Sequence, residues 1–217
     1  MINSKLFDHT LLSATATKEE VVKLCEEAKK NSFKSVCVNP SYIPLAKSLL
    51  KESDVLVCTV VGFPLGMMTS KAKLLETKDA LKLGADEVDM VINQGRLKDK
   101  DYDYIFKEIY MLKKACGKKC LKVILETCNL TFEEIEIATE LAIRAKADFV
   151  KTSTGFASGG ATVEAIQIMK KVGKEKIEIK ASGGVRTLED VLKFTEAGAT
   201  RIGASKSVQI IKEVKNE

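Results

Sequence analysis

Apolar and polar positions follow two periods along the chain. Short runs rich in Val, Ile and Leu alternate with longer stretches whose apolar residues recur three or four apart, and a strand-like run returns every 20 to 35 residues or so. The pattern predicts strands over 6–8, 35–38, 55–60, 87–92, 121–125, 149–151, 177–180 and 201–203. Helices are predicted over roughly 18–30, 41–51, 69–83, 101–116, 132–146, 161–172, 188–197 and 205–214. Thr17 with Glu20, Thr131 with Glu134 and Thr187 with Asp190 have capping-box spacing, in which the hydroxyl accepts an early backbone N–H and the acid favours the positive helix end. Gly84, Gly117, Gly173 and Gly198 stand where the preceding helices should stop.

Eight strand–helix units in 217 residues fit a single α/β domain over 1–217, a (β/α)8 TIM barrel, whose lower size is roughly 200 residues. An open doubly wound sheet is the alternative arrangement. Parity within strands adds detail, because successive side chains point to opposite faces. Val88, Met90 and Ile92 share one face and Asp89 the other; Leu121, Val123 and Leu125 oppose Lys122; Ile177 and Ile179 oppose Lys180. In a barrel the apolar faces meet the helices, so Asp89, Lys122, Lys151 and Lys180 fall in the lumen. Buried charges are costly unless paired, which makes this cluster a candidate reaction centre.

Lys151 and Lys180 each end a strand and open a small-residue turn, Thr152-Ser153-Thr154-Gly155 and Ser182-Gly183-Gly184. Either lysine alone could extend its stem to water. Sharing one pocket, they would repel each other, and that repulsion with partial desolvation is expected to lower at least one ammonium pKa and leave a nucleophilic amine suited to Schiff-base chemistry. With Gly203-Ala204-Ser205, these turns converge on the usual phosphate corner of such a barrel, where glycines permit close backbone approach and hydroxyls and helix N-termini donate to an anion.

The formal net charge of +5 is compatible with a small phosphorylated substrate, but the basic residues are mixed with acids along amphipathic stretches and read as solvated helix faces. No Trp, few aromatics and no basic run longer than two argue against nucleic acid. The first ten residues lack a basic segment leading into an apolar stretch, and the run 55–68 is broken by Thr59, Gly62, Pro64 and Gly66, so neither a signal peptide nor a membrane span is expected. The six cysteines form no CxxC pair and read as buried, reduced thiols of a cytoplasmic protein. A single histidine, His9, and the lack of any CxxC pair disfavour a metal centre. No GxSxG elbow is present, His9 reads as structural at the end of the first strand, and Asp8 reads as a carboxylate at the barrel mouth.

Seven segments in order carry a family resemblance: Asp8-His9-Thr10-Leu11-Leu12, Cys37-Val38-Asn39-Pro40, Val61-Gly62-Phe63-Pro64-Leu65-Gly66, Glu87-Val88-Asp89-Met90-Val91-Ile92-Asn93, Lys122-Val123-Ile124-Leu125-Glu126-Thr127, Lys151-Thr152-Ser153-Thr154-Gly155 and Lys180-Ala181-Ser182-Gly183-Gly184-Val185-Arg186. Through them the chain resembles the deoxyribose-phosphate aldolase family nearly end to end. The resemblance implies a cofactor-free class I aldolase cleaving 2-deoxy-D-ribose 5-phosphate to D-glyceraldehyde 3-phosphate and acetaldehyde in deoxyribonucleoside breakdown. It implies Lys151 as the Schiff-base lysine, Lys180 and Asp89 as proton-transfer groups, and Lys122, Asp8, Thr10 and Cys37 as supporting positions, the last two lining the substrate pocket. Gly155, Gly183, Gly184, Gly203 and Ser205 would hold the phosphate. Lys206-Ser207 departs from the small pair of many relatives and adds a cation at that corner. Some relatives end in a tail whose terminal tyrosine reaches the site; this chain ends Lys215-Asn216-Glu217, so no such contribution is expected. A sugar-phosphate isomerase or a non-catalytic phosphosugar-binding barrel are the alternatives on this scaffold, and a homo-oligomer, dimer or tetramer, fits barrel habits.

Overall fold

The structure, a computed structural model, describes residues 2–215, without the side chain of Lys215; the reading of the last residues, Asn216 and Glu217, lies outside them. Eight parallel strands close into a barrel in sequence order: β1 Phe7–Leu11, β2 Ser35–Val38, β3 Leu56–Val61, β4 Glu87–Val91, β5 Cys120–Ile124, β6 Phe149–Lys151, β7 Glu178–Ser182 and β8 Arg201–Ala204. Closure is made by β1 on β8, with Phe7 opposite Ile202, Asp8 opposite Gly203 and His9 opposite Ala204, which rules out the open sheet.

The surrounding helices are α1 Lys18–Lys30, α2 Ile43–Leu49, α3 Ser70–Leu83, α4 Gln94–Lys98, α5 Tyr102–Cys116, α6 Phe132–Arg144, α7 Val163–Gly173, α8 Leu188–Glu196 and α9 Ser207–Lys215. The short α4 and the 3-10 turns, such as Thr127–Asn129, carry too little periodicity to be read from sequence. All three capping boxes form. Gly84 and Gly117 cap α3 and α5, and Gly198 follows the end of α8. Gly173 is instead the last residue of α7, and Lys174 caps it at φ +49°.

Strand parity holds around the barrel. Val88, Met90, Ile92, Leu121, Val123, Leu125, Ile177 and Ile179 are buried in the layer between strands and helices. The solvated-face reading fails at one place in that layer: Lys73 of α3 and Glu108 of α5 are fully buried and paired at 2.9 Å. Lys73 donates to Val91 O at 2.7 Å, and Glu108 accepts from Asn93 N at 3.3 Å, so the pair braces the end of β4. Burial holds the Lys73 ammonium below its ordinary value and pushes the Glu108 carboxyl up. Among the described residues no helix is long and apolar enough to cross a membrane.

Candidate active site

The barrel lumen holds a continuous ion-pair network. Asp89, fully buried on β4, accepts from Lys122 through Oδ1 at 2.8 Å and from Lys151 and Lys180 through Oδ2 at 2.9 and 2.8 Å. Lys180 also lies 2.5 Å from Asp8 Oδ2, an ion pair outside hydrogen-bonding angles. Asp8 Oδ1 accepts from Arg201 at 2.8 Å, and Arg201 reaches Glu87 at 3.1 Å, which pairs with Lys122 at 2.6 Å. Each charge therefore has an opposite partner inside the barrel, the condition under which buried ions are tolerated.

Glu87 and Arg201 are the members that sequence reasoning missed. Glu87 lies two residues before Asp89, so the same parity would have placed it inward. Arg201 stands opposite Lys180 across the β7–β8 register, a contact visible only once the strands are paired. Asp8 is fully buried within this network and is not at the mouth.

At Lys180 the electrostatics run against the effect of lysine–lysine repulsion. Burial disfavours the Lys180 ammonium, but Asp8 and Asp89 outweigh it and raise its pKa above the ordinary lysine value. Lys122 is likewise raised, against burial, by Asp89 and its other anionic neighbours. Burial would push Asp89 and Asp8 up, yet the surrounding cations hold both well below the usual carboxylate range. Lys180 is thus a stabilised ammonium, and mutual repulsion between lysines is not the controlling interaction.

Above the network opens a cavity of about 280 Å³ lined by Thr10, Lys151, Ser182, Gly183, Gly184 and Gly203, with Thr154, Gly155, Phe156, Ala204 and Ser205 on its walls and Arg186 and Lys206 among its lining residues. Lys151 reaches it; Lys122, Lys180, Asp8 and Asp89 do not line it. The five residues assigned to phosphate thus share one cavity with one of the lumen lysines. Gly203 has a second reason to be glycine, because a Cβ there would come within 3.0 Å of Lys180 Cε. Lys206 faces the cavity, whereas Ser207 is buried and donates to Ala204 O at 2.9 Å.

Cys37 does not line the cavity. It is fully buried with Leu12, Cys58, Val60 and Phe63 to one side. Ligand atoms of Cys37, Cys58 and Asp89 do gather within 4.8 Å, a proximity of neighbouring strands that sequence spacing did not show. The Lys122 ammonium, 2.8 Å from Asp89 Oδ1 and 3.4 Å from Cys58 Sγ, already occupies that space with positive charge, so the donor set is unsuited to a divalent cation. His9 sits in the middle of β1 facing outward, its Nε2 2.9 Å from Glu27 and its ring 5.3 Å from that of Phe33. The cysteines are unpaired; Cys128 is exposed and Cys120 half-buried, contrary to the uniformly buried reading. Burial pushes the Cys25 and Cys116 thiols up to about 11 and Cys120 to about 12.

Known proteins resemble this chain in sequence and in fold. A family model described as DeoC/LacD family aldolase matches residues 3–210. The deoxyribose-phosphate aldolase of Staphylococcus carnosus is 55% identical over 214 residues, 99% of this chain and 97% of the relative. That of Bacillus mycoides is 56% identical over 209 residues, 96% of this chain and 94% of the relative. Among solved structures, a tetrameric deoxyribose phosphate aldolase from Aeropyrum pernix has a TM-score of 0.90 at 32% identity, over 98% of this chain and 90% of that one. Agreement of sequence and barrel along nearly the whole chain means that this protein belongs to the DeoC/LacD aldolase family.

Proposed function

We propose that the protein is a class I aldolase that reversibly cleaves 2-deoxy-D-ribose 5-phosphate to D-glyceraldehyde 3-phosphate and acetaldehyde through a Schiff base on Lys151, in deoxyribonucleoside catabolism. The observation that carries this reading is that Lys151, of the three lumen lysines, is the one lining a cavity whose opposite wall is built from small residues fit for a phosphate. Relatives named deoxyribose-phosphate aldolase support the choice of substrate.

In this mechanism the amine of Lys151 adds to the C1 aldehyde, and loss of water gives a protonated imine. A base removes the C3 hydroxyl proton; the C2–C3 bond breaks, its electrons move into the imine to form an enamine, and glyceraldehyde 3-phosphate leaves. Protonation of the enamine carbon and addition of water then free acetaldehyde and restore the amine. Asp89 and Lys180, joined to Lys151 through one carboxylate oxygen, divide or relay these proton transfers, with Lys122 and Asp8 holding their charges in place. Thr10 lines the same cavity as Lys151. Gly155, Gly183, Gly184, Gly203 and Ser205 anchor the phosphate, and binding energy from this remote group positions C1 against the lysine. No step calls for a cofactor or metal. A homo-oligomer fits the tetrameric relative, and a cytoplasmic location fits the unpaired cysteines.

Borohydride reduction in the presence of acetaldehyde, followed by peptide mapping, tests the assignment. The expected product is a stable ethyl adduct on Lys151. An adduct confined to Lys180, or none on folded protein, would sink the Lys151 reading, and failure to release acetaldehyde from deoxyribose 5-phosphate would sink the reaction.

A further inference from the structure

Glu126, just beyond β5, lies behind the cavity wall and, among the described residues, hydrogen-bonds to Thr154 and not to the lumen network. It is 2% exposed and holds a left-handed backbone, φ +58° and ψ +63°, a strained conformation for a non-glycine residue. Its two oxygens accept from one residue: Oε1 from Thr154 N at 3.1 Å, Oε2 from the same N–H at 3.3 Å and from the Thr154 hydroxyl. Thr154 Oγ1 in turn accepts from Phe156 N at 3.0 Å. The backbone reinforces the approach, Thr127 N donating to Thr152 O at 2.9 Å. The far end of the loop is tied separately, by Ala161 N to Gly183 O at 3.0 Å.

Thr154, Gly155 and Phe156 are walls of the cavity. A buried carboxylate in a strained backbone is unfavourable by itself, and here charge-assisted hydrogen bonds to a single turn offset that cost. We propose that Glu126 is a positioning residue, acting through Thr154 to hold the turn Thr154-Gly155-Phe156 in the shape that receives the substrate phosphate. It thereby sets the preference for phosphorylated over unphosphorylated sugar. This rests on the phosphate-anchoring part of the function proposed above.

Kinetics on deoxyribose 5-phosphate and on deoxyribose test it, together with titration of inorganic phosphate followed by 31P NMR. Glu126→Ala should lower the ratio of kcat/KM for the phosphorylated over the unphosphorylated sugar at least about tenfold, chiefly through KM for the phosphorylated one, since small misplacement of a positioning group costs up to roughly a hundredfold. Thr154→Val should act in the same direction. The double variant should lose no more than the worse single, and Glu126→Gln, which keeps one acceptor oxygen, should recover part of the ratio. Inorganic phosphate should bind at least tenfold more weakly to the Ala and Val variants. An equal fall on both sugars with the ratio unchanged, or unaltered phosphate affinity, would overturn the assignment; if Glu126→Ala does not fold, Thr154→Val and Glu126→Gln decide it. Wild-type protein that binds phosphate but releases no acetaldehyde would remove the aldolase reading while the phosphate titration still judged Glu126.

Discussion

Replacing Lys180 by Met removes the ammonium that bridges Asp8 at 2.5 Å and Asp89 at 2.8 Å and leaves a side chain of similar length. At an effective dielectric of about 20 each contact carries an attraction on the order of 6 kcal/mol. Little of that is lost as net stability. Asp8 keeps Arg201 at 2.8 Å, and Asp89 keeps Lys122 at 2.8 Å and Lys151 at 2.9 Å, so neither carboxylate is orphaned. The expected destabilisation is therefore at or below the lower end for a broken buried pair, about 3 kcal/mol. Activity should suffer more visibly, because loss of a positioned proton-transfer group lowers turnover by roughly 10²- to 10⁴-fold, about 2.7 to 5.4 kcal/mol in the barrier. Acetaldehyde release from deoxyribose 5-phosphate gives kcat, borohydride trapping on Lys151 shows that the imine still forms, and denaturant unfolding gives the stability. The stability difference has a defined pH window. The raised Lys180 value means its contribution is fully present below the unfolded lysine value of about 10.4 and lost as pH rises through the folded one. The depressed Asp8 and Asp89 values mean their contribution is present above about 4 and lost as pH falls through theirs. Wild type and variant should therefore differ by a constant amount between roughly pH 5 and 10. Turnover within about threefold of wild type in a folded Lys180→Met barrel would refute the proton-transfer role.

Two further substitutions probe the scaffold. Gly66 and Gly117 both have positive φ, +69° and +57°, but a Cβ on Gly66 would lie 2.0 Å from Ile92 O while one on Gly117 meets nothing within 4 Å. Gly117→Ala should cost about 1–3 kcal/mol, the backbone penalty alone, and Gly66→Ala more than about 3 kcal/mol because the end of β4 must move; equal urea midpoints would show that the close approach is irrelevant. Burial holds His9 below its ordinary value despite Glu27, so the unfolded chain takes up a proton before the native one and stability should fall as pH drops below about 6.5. His9→Gln should flatten that part of the Tm profile, and parallel slopes for both proteins would exclude His9 as the source.

Much of the architecture is local in origin and could be read before any contact was known. The alternation of strand and helix periods set the count of eight units, the Thr-x-x-acid spacings marked three helix starts that the structure caps as expected, and strand parity sent Asp89, Lys122, Lys151 and Lys180 inward, because a side chain's face depends only on its own backbone. Depth along the barrel axis does not depend on that backbone. It is set by register and closure between strands, and these decided that Lys151 opens into the cavity while Lys180, its neighbour across β6 and β7, lies below it against Asp8 and Asp89. They also brought in Arg201, sank Asp8, and withdrew Cys37 from the cavity wall, whereas Glu87 shares the parity of Asp89 and was within reach of the sequence. The sign of the Lys180 shift followed from the same cause: electrostatic interactions fall with distance across the barrel, and two carboxylates nearly in contact outweigh both the neighbouring lysines and burial.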